Sequence, residues 1–389
     1  MARTSSPLTH PRIRVAGDAR ERGRQYGEAA RDRILIGLAA YEKAFQRAAG
    51  WSWKDASTAA AVCEPEIRAS YPQYLEEMAG IAEGAGLSFS DVLTLNTRTE
   101  VIWAATAREA AEERATRARE CTSFALAGRR TRSGRPMTGQ NWDWLTHCRD
   151  TLVILEVEQP DAPNYVTVVE AGLLAKCSLN SAGLAVTTNA LVTSADRGEP
   201  GIPYHVMLRA LADCGQLSSA IDTIQKKFRA SAANYLLSTG DDIAVDLEAG
   251  PGDFLAVQAI LPKDGALVHT NHFLRSPRGQ EDVSLYAMPD SLIRLQRAEE
   301  TIARSAEPHD IASLRRALSD HADYPSSVCC HPRAEDEEQW ATVMSVIMDP
   351  QDRRMWLAPG LPCETEFVEL DFGNLLTGES NLAKFRSAS

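Results

Sequence analysis

The sequence changes its hydrophobic pattern at residue 121. Before that point, apolar side chains recur at the three- to four-residue spacing of a helix, most clearly at Tyr26, Ala30, Ile34, Leu38, Tyr41 and Phe45. After it, short β-branched runs such as LVILEVE and GLAVTTNAL are separated by Asn, Gly and Pro, which is typical of an antiparallel meander. Because helices and strands come in blocks rather than in regular alternation, the pattern favours an α+β fold over a doubly wound parallel sheet.

The first hundred residues are predicted to be helical throughout. The second helix runs from Tyr71 to Ala82 and is expected to stop at Gly84 and Gly86, because glycine ends helices readily. A third helix is expected to start at an N-cap Ser90. Later helices are predicted after Pro203, after Ser218 or Ser219, around 290–304 and at 310–320.

The segment from Ala104 to Glu120 is rich in alanine and charge and has no large apolar residue. It is either an exposed helix or a connector, since it cannot anchor itself in a core. Cys121 follows it directly. If the chain were cut between Glu120 and Cys121, the new terminus would carry a thiol and an α-amine whose pKa is about 7.7–8.0. That amine can serve as the base for its own thiol, so one residue supplies both nucleophile and base.

Composition narrows the functional classes. The formal net charge of −12 argues against nucleic acid and anionic membranes as partners. Eight cysteines in 389 residues show no disulfide framework. The start of the chain has no apolar stretch after its basic residues, so no secretory signal is predicted. We therefore expect a cytoplasmic enzyme whose reactive thiol stays reduced.

The segment CTSFALAGRRTRSGRPMTGQNWDW resembles the motif of the acyl-coenzyme A:6-aminopenicillanic acid acyltransferase family and, more distantly, of the choloylglycine hydrolase and penicillin V acylase group. Later segments match in the same order: NSAGLAVTTNAL, VHTNHF, DHADYPSSVCCHP and ATVMSVIMD. The resemblance implies a four-layer αββα sandwich of the N-terminal-nucleophile (Ntn) type, activated by self-cleavage. Residues 1–120 would be a helical pro-region or small subunit, released or retained, and residues 121–389 the catalytic subunit.

The resemblance also implies roles for single residues. Asp143 matches the aspartate that holds the nucleophile's amine, and Asn271 matches an oxyanion donor. Ser123 and Asn189 would line the same site, although Asn189 is shifted by one residue relative to the matching position of the choloylglycine hydrolase group. The alternatives are ordinary turn or strand positions for all four.

Two positions depart from the family pattern, because Gln140 and Cys330 stand where arginines are expected. The loss of positive charge puts the family's own substrate in doubt. Arg275 or Arg333 could restore that charge.

The sequence thus predicts a self-cleaving amidohydrolase that acts on a non-peptide amide of an N-acyl small molecule through a Cys121 thioester, with no cofactor. Two alternatives are an acyl-coenzyme A-dependent N-acyltransferase on a small amine and a non-maturing relative that only binds a small molecule. A papain-like enzyme would instead use His147, His272 or His321 as base. The cleaved fragments are expected to stay associated, and homo-oligomers are left open.

A metal site is not predicted. Cys329, Cys330, His331 and Cys363 are zinc-type ligands, but they lack the paired C-x2–4-C spacing that is usual in structural zinc sites.

Overall fold

The computed structural model describes residues 10–106, 121–334 and 339–378. Its strands are β1 Arg12–Ala16, β2 Thr122–Leu126, β3 Met137–Leu145, β4 Leu152–Glu158, β5 Tyr165–Glu170, β6 Cys177–Asn180, β7 Leu184–Ala190, β8 Ala233–Thr239, β9 Ala244–Ala249, β10 Val257–Ile260, β11 Ala266–His269, β12 Trp340–Asp349, β13 Arg354–Ala358 and β14 Val368–Leu370. Its α-helices are α1 Ala19–Ala49, α2 Trp53–Ala60, α3 Glu64–Ser70, α4 Pro72–Ala85, α5 Phe89–Asn96, α6 Arg98–Thr106, α7 Cys148–Thr151, α8 Tyr204–Ala212, α9 Leu217–Lys226, α10 Ser284–Ala287, α11 Ser291–Ala298 and α12 Ile311–Leu318.

The strands form two sheets. The larger has the order β1-β4-β5-β6-β7-β8-β9-β10 and the smaller the order β11-β2-β3-β12-β13-β14. All neighbouring pairs are antiparallel except β1 and β4, which are parallel. The predicted α+β class is confirmed.

The two sheets pack face to face, because successive side chains of a strand point to opposite faces. In β2, Ala125 packs against Leu236 of the larger sheet, whereas Phe124 and Leu126 pack against helix residues such as Leu314. The N-terminal helices, with α8 and α9, cover the outer face of the larger sheet, and α11 and α12 cover the smaller one. The layers therefore run αββα, as expected.

The N-terminal hundred residues are not entirely helical. Arg12–Ala16 form β1, with Ile13 and Val15 buried and the three residues around them exposed. The strand does alternate polar and apolar residues from Arg12 to Val15, but the alternation covers only four residues and lies next to a long helical pattern, so it was missed. By pairing with β4, it makes the N-terminal region part of the larger sheet.

The helix boundaries differ from the prediction at Gly84 and Ser90. Helix α4 runs through Gly84 and ends at Gly86, which adopts a left-handed conformation. A Cβ at Gly84 would overlap the backbone carbonyl of Arg24, so this glycine permits the close approach of α1 and α4. Helix α5 starts after Ser88, which forms a capping box with Asp91.

The remaining boundaries are close to those expected. Pro203 precedes α8, as predicted, whereas α9 is capped by Gln216 rather than by a serine. Helix α11 continues into a π-helical turn at Glu299–Ala303. Within the described ranges, no helix combines the length and the apolar character that crossing a bilayer requires.

Candidate active site

Cys121 lies immediately before β2, the second strand of the smaller sheet, and its side chain is buried. The Nη1 atom of Arg294 donates to its carbonyl oxygen at 2.8 Å. Glu120, the other residue of the predicted cleavage site, lies outside the described residues, as does the connector beyond Thr106.

The strand register brings the predicted catalytic residues to the start of β2. Strand β2 pairs with β11 on one side and with β3 on the other, with Ser123 opposite His269 and Thr122 opposite Asn141. Continued by two residues, the first pairing sets Asn271 opposite Cys121. Asp143 lies two residues beyond Asn141, just past the point where β2 starts.

Asp143 is a buried carboxylate with an incomplete set of partners. The hydroxyl of Thr342 donates to its Oδ1 at 2.6 Å, whereas its Oδ2 has no hydrogen-bond partner among the described residues. Burial raises the pKa of Asp143 to about 7, against the opposing effects of the Arg294 charge and the Thr342 hydrogen bond. A buried carboxylate oxygen without a partner is costly, so this group is suited to receive a cation.

Asn271 follows β11 and is held at three points. Its backbone N–H donates to Ser291 Oγ at 2.7 Å, and its Nδ2 donates to the carbonyl of Ala190 at 3.0 Å. Its Oδ1 accepts from Arg294 Nη2 at 3.0 Å. The amide is therefore fixed with its oxygen towards Arg294 and its nitrogen towards the end of β7.

Arg294, which the sequence analysis did not single out, links the groups around Cys121. It is buried on α11, and its Nε donates to Asp290 at 2.6 Å. Burial by itself would lower its pKa, but the charges of Asp290 and Asp143 raise it above the ordinary value. The available signal was its position in the buried stripe that also contains Ser291 and Ala298.

Ser123 and Asn189 meet in the space between the sheets. Ser123 Oγ donates to Asn189 Oδ1 at 2.6 Å, and the backbone N–H of Asn189 donates to Asn234 Oδ1 at 2.6 Å. Among the described residues, Asn189 Nδ2 has no hydrogen-bond partner although it is buried. It is therefore a second amide donor available near the start of β2.

Comparison with known proteins assigns the chain to a family. A family model described as "Acyl-coenzyme A:6-aminopenicillanic acid acyl-transferase" matches residues 129–363. The acyl-coenzyme A:6-aminopenicillanic-acid-acyltransferase 40 kDa form of Emericella nidulans is 30% identical over 318 residues, which cover 81% of this chain and 83% of the relative. The chain belongs to this acyltransferase family. It is therefore an enzyme, and its chemistry is amide hydrolysis or acyl transfer.

Two solved structures are similar to the chain at lower identity. A C2A mutant of the conjugated bile acid hydrolase from Clostridium perfringens aligns with a TM-score of 0.45 at 12% identity, covering 67% of this chain and 95% of that one. Penicillin V acylase from Agrobacterium tumefaciens aligns with a TM-score of 0.40 at 14% identity, covering 67% and 89%. The family assignment rests on the sequence matches alone.

Gln140, which stands where the family pattern led us to expect the first of two arginines, connects the two sheets. Gln140 Nε2 donates to the carbonyl of Thr188 at 3.0 Å, and its Oε1 accepts from the backbone N–H of Thr188 at 2.8 Å. Both ends of the amide are thus engaged with β7, so Gln140 joins the sheets across their interface. This contact favours a structural role over direct substrate binding.

The second position, Cys330, lies on the side of Arg294. Its backbone N–H donates to Thr342 Oγ1 at 3.0 Å, the same hydroxyl that donates to Asp143. It is also near enough to Arg294 for a charge on its sulfur to affect the pKa of that residue. Arg333 bonds Ser326 Oγ instead, and the Arg275 backbone bonds Glu248. The positive charges that the described contacts place in this region are those of Arg294 and of Arg149, whose Nη2 donates to the carbonyl of Thr342 at 3.0 Å.

The three histidines of the papain-like alternative have partners of their own. His272 Nδ1 lies 2.8 Å from Ser291 Oγ, and His147 Nε2 lies 3.7 Å from Glu170 Oε1. His321 Nε2 lies 3.1 Å from His331 Nε2. These contacts of the three imidazoles are thus with residues other than Cys121.

Proposed function

We propose that this chain is a self-cleaving amidohydrolase in which Cys121 becomes the N-terminal nucleophile. The observation that carries the proposal is the buried Oδ2 of Asp143, which has no partner among the described residues and lies just past the start of β2. Cleavage before Cys121 would create an α-ammonium at that strand end. Such a cation would satisfy the carboxylate and lower its pKa.

The N-terminal region would remain attached after cleavage. Strand β1 is hydrogen-bonded to β4, and α1 residues such as Ile34 and Phe45 belong to the same buried core as Val153. The 1–120 segment is therefore proposed as a retained small subunit, and 121–389 as the catalytic subunit. Removing it would expose much of one face of the larger sheet.

The proposed reaction uses the thiol and α-amine of Cys121 and the side-chain amides of Asn271 and Asn189. The neutral form of the α-amine takes the thiol proton and becomes the α-ammonium that the Asp143 carboxylate stabilises, and the sulfur attacks the substrate carbonyl carbon. The resulting oxyanion would be stabilised by the amide nitrogens of Asn271 and Asn189, which donate hydrogen bonds without carrying charge. The C–N bond then breaks, and the leaving amine takes the proton back from the α-ammonium. Water next attacks the thioester, which releases the acid and restores the thiol.

The substrate class is the N-acyl amide of a small molecule. Gln140 and Cys330 are neutral where the family pattern led us to expect arginines, and Arg294 is already paired with Asp290. We therefore propose an acyl group without a strongly anionic end. A reducing compartment such as the cytoplasm is part of this proposal, because no disulfide joins any of the eight cysteines, all of which lie within the described residues.

The second candidate function is acyl transfer from a thioester donor to a small amine. The similarity to the Emericella nidulans protein, which is described as an acyl-coenzyme A:6-aminopenicillanic-acid-acyltransferase, supports this function. Both functions share the Cys121 thioester and differ only in the acceptor. Hydrolysis is preferred here because transfer requires a site that binds the amine and excludes water.

The test is a panel of N-acyl amides scored for released amine, run beside a panel of acyl-coenzyme A donors with small amines. We expect amine release from at least one amide, and no release by the Cys121→Ala variant. Transfer products from acyl-coenzyme A without any amide hydrolysis would support the second candidate. Activity that survives in Cys121→Ala would overturn both.

A further inference from the structure

Four side chains converge on one point at the edge of the smaller sheet. Two of them flank Cys330 in the segment before β12, one follows α12, and one follows β13. They are Cys329, His331, His321 and Cys363, and their ligand atoms all lie within 4.8 Å of one another. We call this group the His2Cys2 cluster. It shares no side chain with the site around Cys121.

The distances inside the His2Cys2 cluster match those of a tetrahedral metal site. The two sulfur atoms are 3.6 Å apart, and His331 Nε2 lies 3.7 Å from Cys329 Sγ and 3.5 Å from Cys363 Sγ. The two imidazole Nε2 atoms are 3.1 Å apart. With zinc bonds of about 2.3 Å to sulfur and about 2.0–2.1 Å to nitrogen, tetrahedral ligands are separated by about 3.8 Å (S–S), 3.6 Å (S–N) and 3.3 Å (N–N).

We propose that the His2Cys2 cluster binds one structural Zn²⁺ ion. Two thiolates and two imidazoles in a tetrahedral arrangement are a ligand set that selects zinc. All four positions would be filled by protein atoms, which leaves none for a substrate or water and makes the site structural rather than catalytic. The ion would join three separate parts of the chain and cross-link the segment around Cys330 to the turn after β13.

The backbone holds the ligands in place without the ion. The N–H of Cys329 donates to the carbonyl of Asp320 at 3.0 Å, and the N–H of His331 donates to the carbonyl of Pro325 at 2.9 Å. Arg297 binds Asp320 through its side chain, with Nη2 2.6 Å from Oδ2. These bonds close the 320–331 segment on itself. The ligands are therefore preorganised, which lowers the entropic cost of binding the ion.

A disulfide between Cys329 and Cys363 is the competing chemistry. Their sulfur atoms are 3.6 Å apart, well beyond the bond length of about 2.05 Å. A disulfide would also leave the two facing imidazoles without a role. Zinc accounts for all four side chains at once, and its chemistry needs no oxidant.

The spacing of the four ligands along the sequence did not predict this site. Cys329 and His331 are separated by one residue, His321 precedes Cys329 by eight positions, and Cys363 lies 32 positions after His331. None of these intervals is a usual zinc spacing. His321 was not among the ligands considered from the sequence, because only the turn after α12 brings it to His331.

The first test measures zinc in the purified full chain, expressed in zinc-supplemented medium, by elemental analysis and native mass spectrometry. We expect about one Zn²⁺ per chain, and less than about a tenth of that in Cys329→Ser and Cys363→Ser. Cys330→Ser is the matched control, because it removes the neighbouring thiol on the other side of the same segment and should keep its zinc. A wild-type chain free of zinc, or variants that keep it, would overturn the proposal.

The second test guards against variants that do not fold. His321 is the exposed member of the cluster, so His321→Ala should fold as the wild type does by circular dichroism. After chelation, the wild type should take up added Zn²⁺ at least about 100-fold more tightly than His321→Ala in a competition assay. Co²⁺ in the wild type should give the visible absorption of a tetrahedral sulfur–nitrogen site. Equal affinities, or a non-reduced mass lower by the two hydrogens of a disulfide, would contradict zinc binding.

Discussion

The two faces of the segment from Ser327 to Pro332 differ in how they are built. Cys330 is near Arg294 and, through its backbone and Thr342, is linked to Asp143. Cys329 and His331, the residues on either side, belong to the His2Cys2 cluster. Neighbouring residues of this bent segment thus contribute to two different groups of side chains.

The two faces differ in whether all of their polar groups would have partners. The cluster offers four ligands for four positions, so a single ion would satisfy it. The site around Cys121 contains a buried carboxylate oxygen with no partner among the described residues and an amide nitrogen, Asn189 Nδ2, in the same condition. Buried polar groups normally have a hydrogen-bond partner, so each one without a partner calls for an explanation, and a ligand or substrate is one of them. The cluster should therefore govern stability, and the Cys121 face should govern chemistry.

The largest effect should come from Cys121→Ala. This variant loses the thiol that would act as nucleophile both in self-cleavage and in turnover, so we expect one uncut chain and no turnover above the enzyme-free background. Gel electrophoresis and the amide panel measure the two outcomes. The same variant should keep its zinc, since its change lies on the other face. Zinc loss in Cys121→Ala would show that the two faces are not separate.

The next effect is that of Asn271→Ala on catalysis. Removing one oxyanion donor costs on the order of 3 kcal/mol, or about 10²–10³ in kcat, with a modest change in KM. Asn271→Asp should be at least as damaging, because a carboxylate repels the oxyanion even though it keeps the contact with Arg294. Both are measured on matured protein only, because self-cleavage also passes through an oxyanion.

An ordinary structural role for Asn271 predicts a different result. The alanine variant would lose stability, because Ala190 and Arg294 lose a partner, yet the folded fraction would turn over normally. A matured Asn271→Ala enzyme with near-native kcat would therefore remove Asn271 from the oxyanion site.

A smaller effect concerns pH and the uncut chain. In that chain burial raises the pKa of Asp143 from its ordinary value of 3.8 to about 7. The folded state then binds more protons than the unfolded state between those values, so stability falls as pH rises from about 4 to 7, by up to about 1.4 kcal/mol per unit. Urea unfolding of Cys121→Ala at pH 5 and 7 should show this fall.

The control is the same background with Asp143→Asn, which cannot ionise at that position and should show a smaller fall. Burial also raises the pKa of Glu100 to about 7 and that of Asp246 to about 6, so the contribution of Asp143 is the difference between the two chains. If both chains lose stability equally between pH 5 and 7, the carboxylate of Asp143 is not the group responsible.

The smallest effect should be that of Cys330→Ala. It removes one buried sulfur but keeps the backbone N–H that donates to Thr342. We expect cleavage to proceed, zinc to stay bound, and the unfolding free energy to change by about 1 kcal/mol. Loss of cleavage in this variant would place Cys330 in the chemistry itself.

The sequence predicted the parts of the molecule that depend on local pattern. Most of the stripe from Tyr26 to Phe45 lies on the buried face of α1, and the runs LVILEVE and GLAVTTNAL correspond to β4 and β7. The motif around GQNWD also placed Asp143 on β3, which pairs with β2.

The rest depends on distant contacts that no local pattern encodes. Gly84 was predicted to end a helix because glycine often does so. Its actual role is to leave room for the backbone of α1, which the sequence around it does not indicate. Arg294 was not singled out because its partners are distant in sequence. Cys121 lies just before β2, and Asn271 follows β11. His321 joined the cluster only through the turn that follows α12. In each case tertiary packing, rather than spacing, decides the role.

The most direct test of the central claim is the intact mass and N-terminal sequence of the purified, active enzyme. Cleavage before Cys121 divides the 42.5 kDa chain in proportion to length into fragments of about 13 and 29 kDa. Edman sequencing of the larger fragment should start at Cys121, and the two fragments should elute together under native conditions. Active enzyme that consists of one 42.5 kDa chain with a single N-terminus near Met1 would contradict the account.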